Sequence, residues 1–174
     1  MTEPMIGAET MQRKLTIISI LFFSLLLSGC QTTTTTTYYL GAKADVKEAI
    51  TLSAGQVQQQ QWKDPYVAID YSYTYQGNQL NIDGLFSFSD SAKINYQTVR
   101  RLKLRIFLLN KDLRVVDYRE VLQVLGYSLE DQDKFNAEFV LNDDVVAFTF
   151  GYEGLLRDDE SLSTTIWKFP KRNP

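Results

Sequence analysis

The chain has 174 residues, the usual length of one domain, and 44% of them are apolar, enough to build a core. Its formal net charge of −3 argues against a general nucleic-acid binder. With no histidine and a single cysteine, Ser-His-Asp and Cys-His nucleophiles and zinc sites on those ligands are excluded.

The first feature along the chain reads as an export signal. Arg13 and Lys14 form a positive n-region, and a mostly apolar h-region of thirteen positions runs from Leu15 to Leu27. A membrane-crossing helix needs about 20 residues, so this run fits a cleaved signal. Met5 and Met11 stand as alternative starts to Met1, with Met11 just ahead of the basic pair. The run ends in Leu27-Ser28-Gly29-Cys30. Small Ser28 and Gly29 let the chain lie extended in a peptidase groove, and Cys30 offers a nucleophilic sulfur at the membrane surface. These four residues resemble the lipobox of bacterial lipoproteins. The resemblance implies cleavage between Gly29 and Cys30, acylation of the Cys30 thiol and of the new amino terminus, and a membrane partner held through lipid. Several acyl chains anchor stably where one is marginal. Gln31, where an aspartate would imply inner-membrane retention, implies an outer-membrane address facing the periplasm. The resemblance implies an address and no activity.

Thr32 to Thr37 lack apolar partners at alternate positions, so they read as a tether, with an edge strand as the other reading. Residues 1–29 are then signal, 30–44 the lipidated terminus and tether, and 45–174 the folded domain. Tyr38 and Tyr39 either lie on the membrane or cover an edge of the domain. A short strand is expected around Ile50 to Ser53. Gln58 to Gln61 with Trp62 read as linker or edge, with augmentation by a partner strand as the sharper possibility.

Beyond this point the apolar period is two. Val67, Ile69, Tyr71, Tyr73 and Tyr75 share one strand face, as do Leu80, Ile82, Gly84, Phe86 and Phe88 on the next. Gly77-Asn78 between them is a two-residue hairpin turn of the II′ kind. That turn pairs Gln76 with Gln79, Tyr73 with Ile82, Ile69 with Phe86, and Tyr71 with Gly84, where an aromatic ring can cover the bare backbone.

A third strand spans about Val99 to Leu109, with Leu102, Leu104, Ile106 and Leu108 on one face. A turn at Asn110-Lys111-Asp112 is expected to pair Leu109 with Leu113, Ile106 with Val116, Leu104 with Tyr118 and Arg105 with Asp117. The stretch FLLNKDLRVV, residues 107–116, resembles the strand-turn-strand signature of FxLYD-type immunoglobulin-like domains, with Leu113 standing where that family has glycine. Residues 121–133 read either as a short helix or as a connection turning at Gly126-Tyr127. A last hairpin is expected about Asp143-Asp144, pairing Leu141 with Val146, Phe139 with Phe148, Ala137 with Phe150 and Phe135 with Tyr152. A final strand at Thr164 to Phe169 stops at Pro170. The sum is an antiparallel, immunoglobulin-like β-sandwich of about seven or eight strands, held by its own aromatic core.

Chemistry-bearing clusters are few. Glu130-Asp131-Gln132-Asp133 starts like a calcium loop but then carries Phe135 and Asn142 where ligands belong, so no metal and no cofactor are expected. Asp158-Asp159-Glu160 reads as a solvated turn, and Gly151 and Gly154 as a strand end or bulge. Arg101, Lys103 and Arg105, with Arg100 beside them, form a basic ladder about 13 Å long at roughly 3.3 Å per residue. It reads either as a seat for an anionic partner or as a solvent face neutralised by cross-strand acids such as Asp117. The expected role is a membrane-anchored, non-enzymatic module that binds an envelope protein or serves envelope assembly. The alternatives are a carboxylate-dependent enzyme on cell-wall glycan and a domain capturing a small ligand or anionic glycan.

Overall fold

The computed structural model describes residues 39–158 and 162–171. The residues read as signal and lipobox, Gly29 and Cys30 among them, the threonine run, Tyr38, Asp159 and Glu160 lie outside the described residues. Among the described residues, nine strands and one short helix follow in order: β1 Ile50–Thr51, β2 Gly55–Lys63, β3 Val67–Gln76, β4 Gln79–Phe88, α1 Asp90–Asn95, β5 Thr98–Leu109, β6 Val115–Ser128, β7 Asp133–Val140, β8 Ala147–Arg157 and β9 Ser163–Lys168. One sheet has the order β2-β3-β4-β7. The other has the order β1-β8-β5-β6, and β9 also pairs with β8. Every pairing is antiparallel, and the two sheets pack as the expected β-sandwich.

The β3–β4 hairpin has the expected register, from Gln76 opposite Gln79 to Ile69 opposite Phe86. Gly77 takes φ 60°, the positive angle that glycine adopts without steric cost. Tyr71 stands opposite Gly84 as expected, but the covering ring is Phe135 from β7. A Cβ on Gly84 would lie 2.5 Å from Phe135 Cε1.

Four expectations are corrected. Leu109 pairs with Val115, and beyond a bulge between Leu108 and Leu109 Phe107 stands opposite Tyr118, Ile106 opposite Arg119 and Arg105 opposite Glu120. The causes are that bulge and a turn one residue further on. Asn110 pairs with Arg114, Leu113 N–H donates to the Asn110 carbonyl at 2.8 Å, and Leu113 itself takes φ 58°. A left-handed third loop residue is what this hairpin type requires, and glycine usually supplies it. Residues 121–128 continue β6 as strand, with Gly126 at φ 65°. β7 and β8 form no hairpin, because β7 pairs with β4 and β8 with β5. Alternating apolar residues satisfy two facing sheets as well as one hairpin, so the pattern alone does not separate them. Gly151 is mid-strand, where a Cβ would meet the Lys168 carbonyl at 2.6 Å and the Phe107 ring.

The helix α1 was not foreseen. Ser89 caps it by accepting from Ala92 N–H at 3.1 Å, and it carries the chain from one sheet to the other. Six residues are too few to show a 3.6-residue stripe.

The domain also begins before residue 45. Ala42 and Ala44 are buried, and with Phe107, Leu109, Val115 and Ala147 they form a second core on the outer face of the five-stranded sheet. Tyr39 closes it, its ring 5.2 Å from Phe107 and 4.8 Å from Phe169. Small residues at alternate positions let the 41–44 backbone lie close on the sheet. Gly41 N–H donates to the Val115 carbonyl, Ala44 N–H to Leu113, and Lys43 exchanges both hydrogen bonds with Lys171.

Candidate interaction surfaces

The space between the sheets is filled with rings. Tyr71, Tyr73, Phe148 and Phe150 meet edge to face at centroid distances of 5.3–6.0 Å, and Phe135 and Trp62 reach Phe150 at 6.1 and 5.8 Å. Such offsets suit aromatic quadrupoles. The Tyr73 hydroxyl, at the core's rim, donates to the Thr51 carbonyl and accepts from Ser53 N–H, both at 3.1 Å. Tyr71 and Tyr73 of β3 are thus core residues, and the tip of Tyr73 is satisfied.

The basic ladder on β5 divides in two. Lys103 Nζ lies 3.1 Å from Glu120, and Arg105 lies 2.9 Å from Glu153 and 3.5 Å from Glu120. The neutralising acids therefore come from β6 and β8, and Asp117 is not among them. Arg105 is largely buried, with its guanidinium 5.6 Å from the Tyr39 ring centroid and 5.7 Å from that of Phe169. Arg100 and Arg101 are exposed, and no ion pair reaches them among the described residues. The ladder does not bring four cations to one seat.

The edge strand β2 pairs with β3 alone. Its ladder slips between Val57 and Gln60, so a bulge falls in the glutamine run, and Gln58, Gln59, Gln60 and Gln61 are all exposed. Trp62 turns inward and anchors the end of the strand. The β7 edge is more guarded: Arg119 donates to the Glu138 carbonyl at 2.8 Å and covers the Phe139 ring. Bulges and covering cations are both ways to blunt a sheet edge.

Sequence reading missed an open cleft of about 500 Å³ bounded by Lys43, Asp45, Glu48, Trp167, Lys168 and Lys171. Its floor is braced by a polar network. Lys168 Nζ lies 2.7 Å from Glu48 and 3.9 Å from Asp64, and 5.2 Å from the Trp62 ring centroid. Asp64 is buried, accepting from Tyr66 and Val67 N–H at 2.9 Å and from the Tyr152 hydroxyl at 2.6 Å. Burial first, and then the bond to Asp64, hold the Tyr152 hydroxyl far above its ordinary titration range.

Above the cleft, Lys43 stands between Arg114 on one side and Lys171 on the other, in register with both. Directly paired residues of neighbouring strands project to the same side, and Ala42 and Ala44 on the opposite side are buried. Arg114, Lys43 and Lys171 therefore form one exposed row of three cations. Arg114 also donates to the Gly41 carbonyl at 2.9 Å. These residues are far apart in the chain, so no local motif announces the row.

Among the described residues, no group of three acidic, histidine or cysteine side chains could hold a metal, and no helix is long and apolar enough to cross a membrane. No protein-family model matches the chain, and a search of curated proteins likewise returns no match.

Proposed function

We propose that the chain is a bacterial lipoprotein, anchored through Cys30 in the outer membrane and facing the periplasm, whose β-sandwich is a non-enzymatic protein-binding or assembly module. The lipobox resemblance of Leu27-Ser28-Gly29-Cys30 supports the anchor. The observation that carries the binding role is the bulged edge of β2, where four exposed glutamines offer side-chain donors and acceptors with no charge among them. The ring-filled interior supports it too, since capture between the sheets would need an open space there.

Two measurements test the two halves. In Cys30→Ser the protein loses membrane association on fractionation; unchanged processing and membrane retention would overturn the anchor. Photo-crosslinkers at Gln58 and Gln60 give discrete adducts in intact envelopes, whereas the same probe at Asn81 on the opposite part of the sheet does not. Equal labelling from all three sites would overturn the edge as the docking strand.

A further inference from the structure

We infer that the row Arg114–Lys43–Lys171, together with Trp167, is a docking surface for anionic phospholipid, laying the outer face of the five-stranded sheet against the membrane that holds the anchor. This rests on the anchor reading.

Like charges placed directly opposite one another destabilise a sheet. Here the middle residue of the row has a cation on both sides, and stability alone would favour an acid at that position. Two acids line the same cleft as Lys43 and Lys171. Glu48 pairs with Lys168, and Asp45 closes a turn by accepting Lys47 N–H at 3.0 Å. An unpaired positive row is explained by a negative partner outside the chain.

Trp167 points to a bilayer rather than a soluble anion. It projects from the outer face opposite Glu153, lines the same cleft as Lys43 and Lys171, and is 60% exposed. An indole with an apolar body and one N–H donor suits the headgroup boundary, where tryptophan concentrates. Leu125, also 60% exposed, lies on this face opposite Arg101, extending the mixed apolar and basic surface.

Position supplies the third argument. Tyr39 packs into the second core on this face, and Cys30 precedes it by nine residues. Even fully extended, nine residues span at most about 32 Å. The anchor would therefore hold this face within reach of the headgroups, which attract juxtamembrane cations once these come within about one Debye length, roughly 8–10 Å.

The test uses the full lipidated chain, reconstituted into vesicles of phosphatidylcholine alone or of an equal mixture with phosphatidylglycerol. Both vesicle sets carry acyl chains brominated near the headgroup. The chain has two tryptophans, and Trp62 is buried in the sandwich, so quenching reports Trp167. The expected result is loss of the Trp167 share of the emission in the anionic vesicles only, absent from Trp167→Phe. Lys43→Glu abolishes that quenching while thermal stability holds or rises, because it places an acid between two cations; a merely structural lysine would not show that split. Unquenched emission from chains that float with the anionic vesicles overturns the docking surface and leaves the anchor standing. Chains that do not float at all overturn both. Loss of an envelope protein crosslink in Lys43→Glu, without lipid quenching in the parent, overturns the lipid in favour of an acidic protein.

Discussion

The Tyr152 hydroxyl, in the middle of β8, donates a 2.6 Å hydrogen bond to the Asp64 carboxylate, in the turn between β2 and β3. The bond joins the two sheets at one end of the sandwich. Lys168 and Glu48 extend the link to β9 and to the segment ahead of β1. An acid buried this way is stable only while its partners remain.

Tyr152→Phe removes one partner and leaves the ring. Hydrogen bonds to charged groups contribute about 1.5–3 kcal/mol, and that loss is expected in urea unfolding at neutral pH. The same hydroxyl gives a pH signature. Near pH 10 an unfolded tyrosine releases its proton, while folded Tyr152 keeps it. The contribution of this hydroxyl to folding stability is therefore fully present below pH 10 and is lost as pH rises above it, by up to about 1.4 kcal/mol per unit. The Phe variant should show a shallower alkaline loss. An identical slope would mean that Tyr152 titrates freely in the folded chain.

Gly84→Ala should cost about 1–3 kcal/mol, because the new methyl would overlap the Phe135 ring. The two sites are in contact, so their effects should not add. Phe135→Leu is expected to be less costly in the Gly84→Ala background than alone. Strict additivity in a double-mutant cycle would show that the strand relaxes without involving the ring.

At Leu113 the usual order of substitutions should invert. The residue holds φ 58° and packs against the second core. An L residue in that conformation carries about 1–2 kcal/mol of strain, which glycine lacks. Both Leu113→Gly and Leu113→Ala lose the packing, but only the glycine variant relieves the strain. Leu113→Gly should therefore unfold at higher denaturant than Leu113→Ala, opposite to the order in ordinary strand positions.

The hairpin of β3 and β4 was legible from its letters because a two-residue turn leaves no freedom in the count. A slip of one would expose every apolar residue on one strand. The β5–β6 register was not legible, because Leu113 entered the turn in a conformation that leucine rarely takes. The separation of β7 from β8 was hidden for another reason: period-two alternation reports which face is buried, not which neighbour buries it. The cation row was invisible because Lys43, Arg114 and Lys171 meet only through long-range pairing. Lys43 itself falls in a stretch that reads as tether, since residues 39–44 carry too few large apolar side chains to announce a packed strand.

The seating of Tyr39 among Phe107, Tyr118 and Phe169 has a mechanical consequence. Any pull that reaches the domain from its amino-terminal side loads this aromatic clamp and the hydrogen bonds of residues 41–44 first. The principal sheets lie behind that latch. The latch can peel away as one segment while β3, β4, β5 and β8 stay paired, so the domain has a sacrificial element in series with its core. Tension along the chain would be absorbed there before the interaction edge of β2 is deformed.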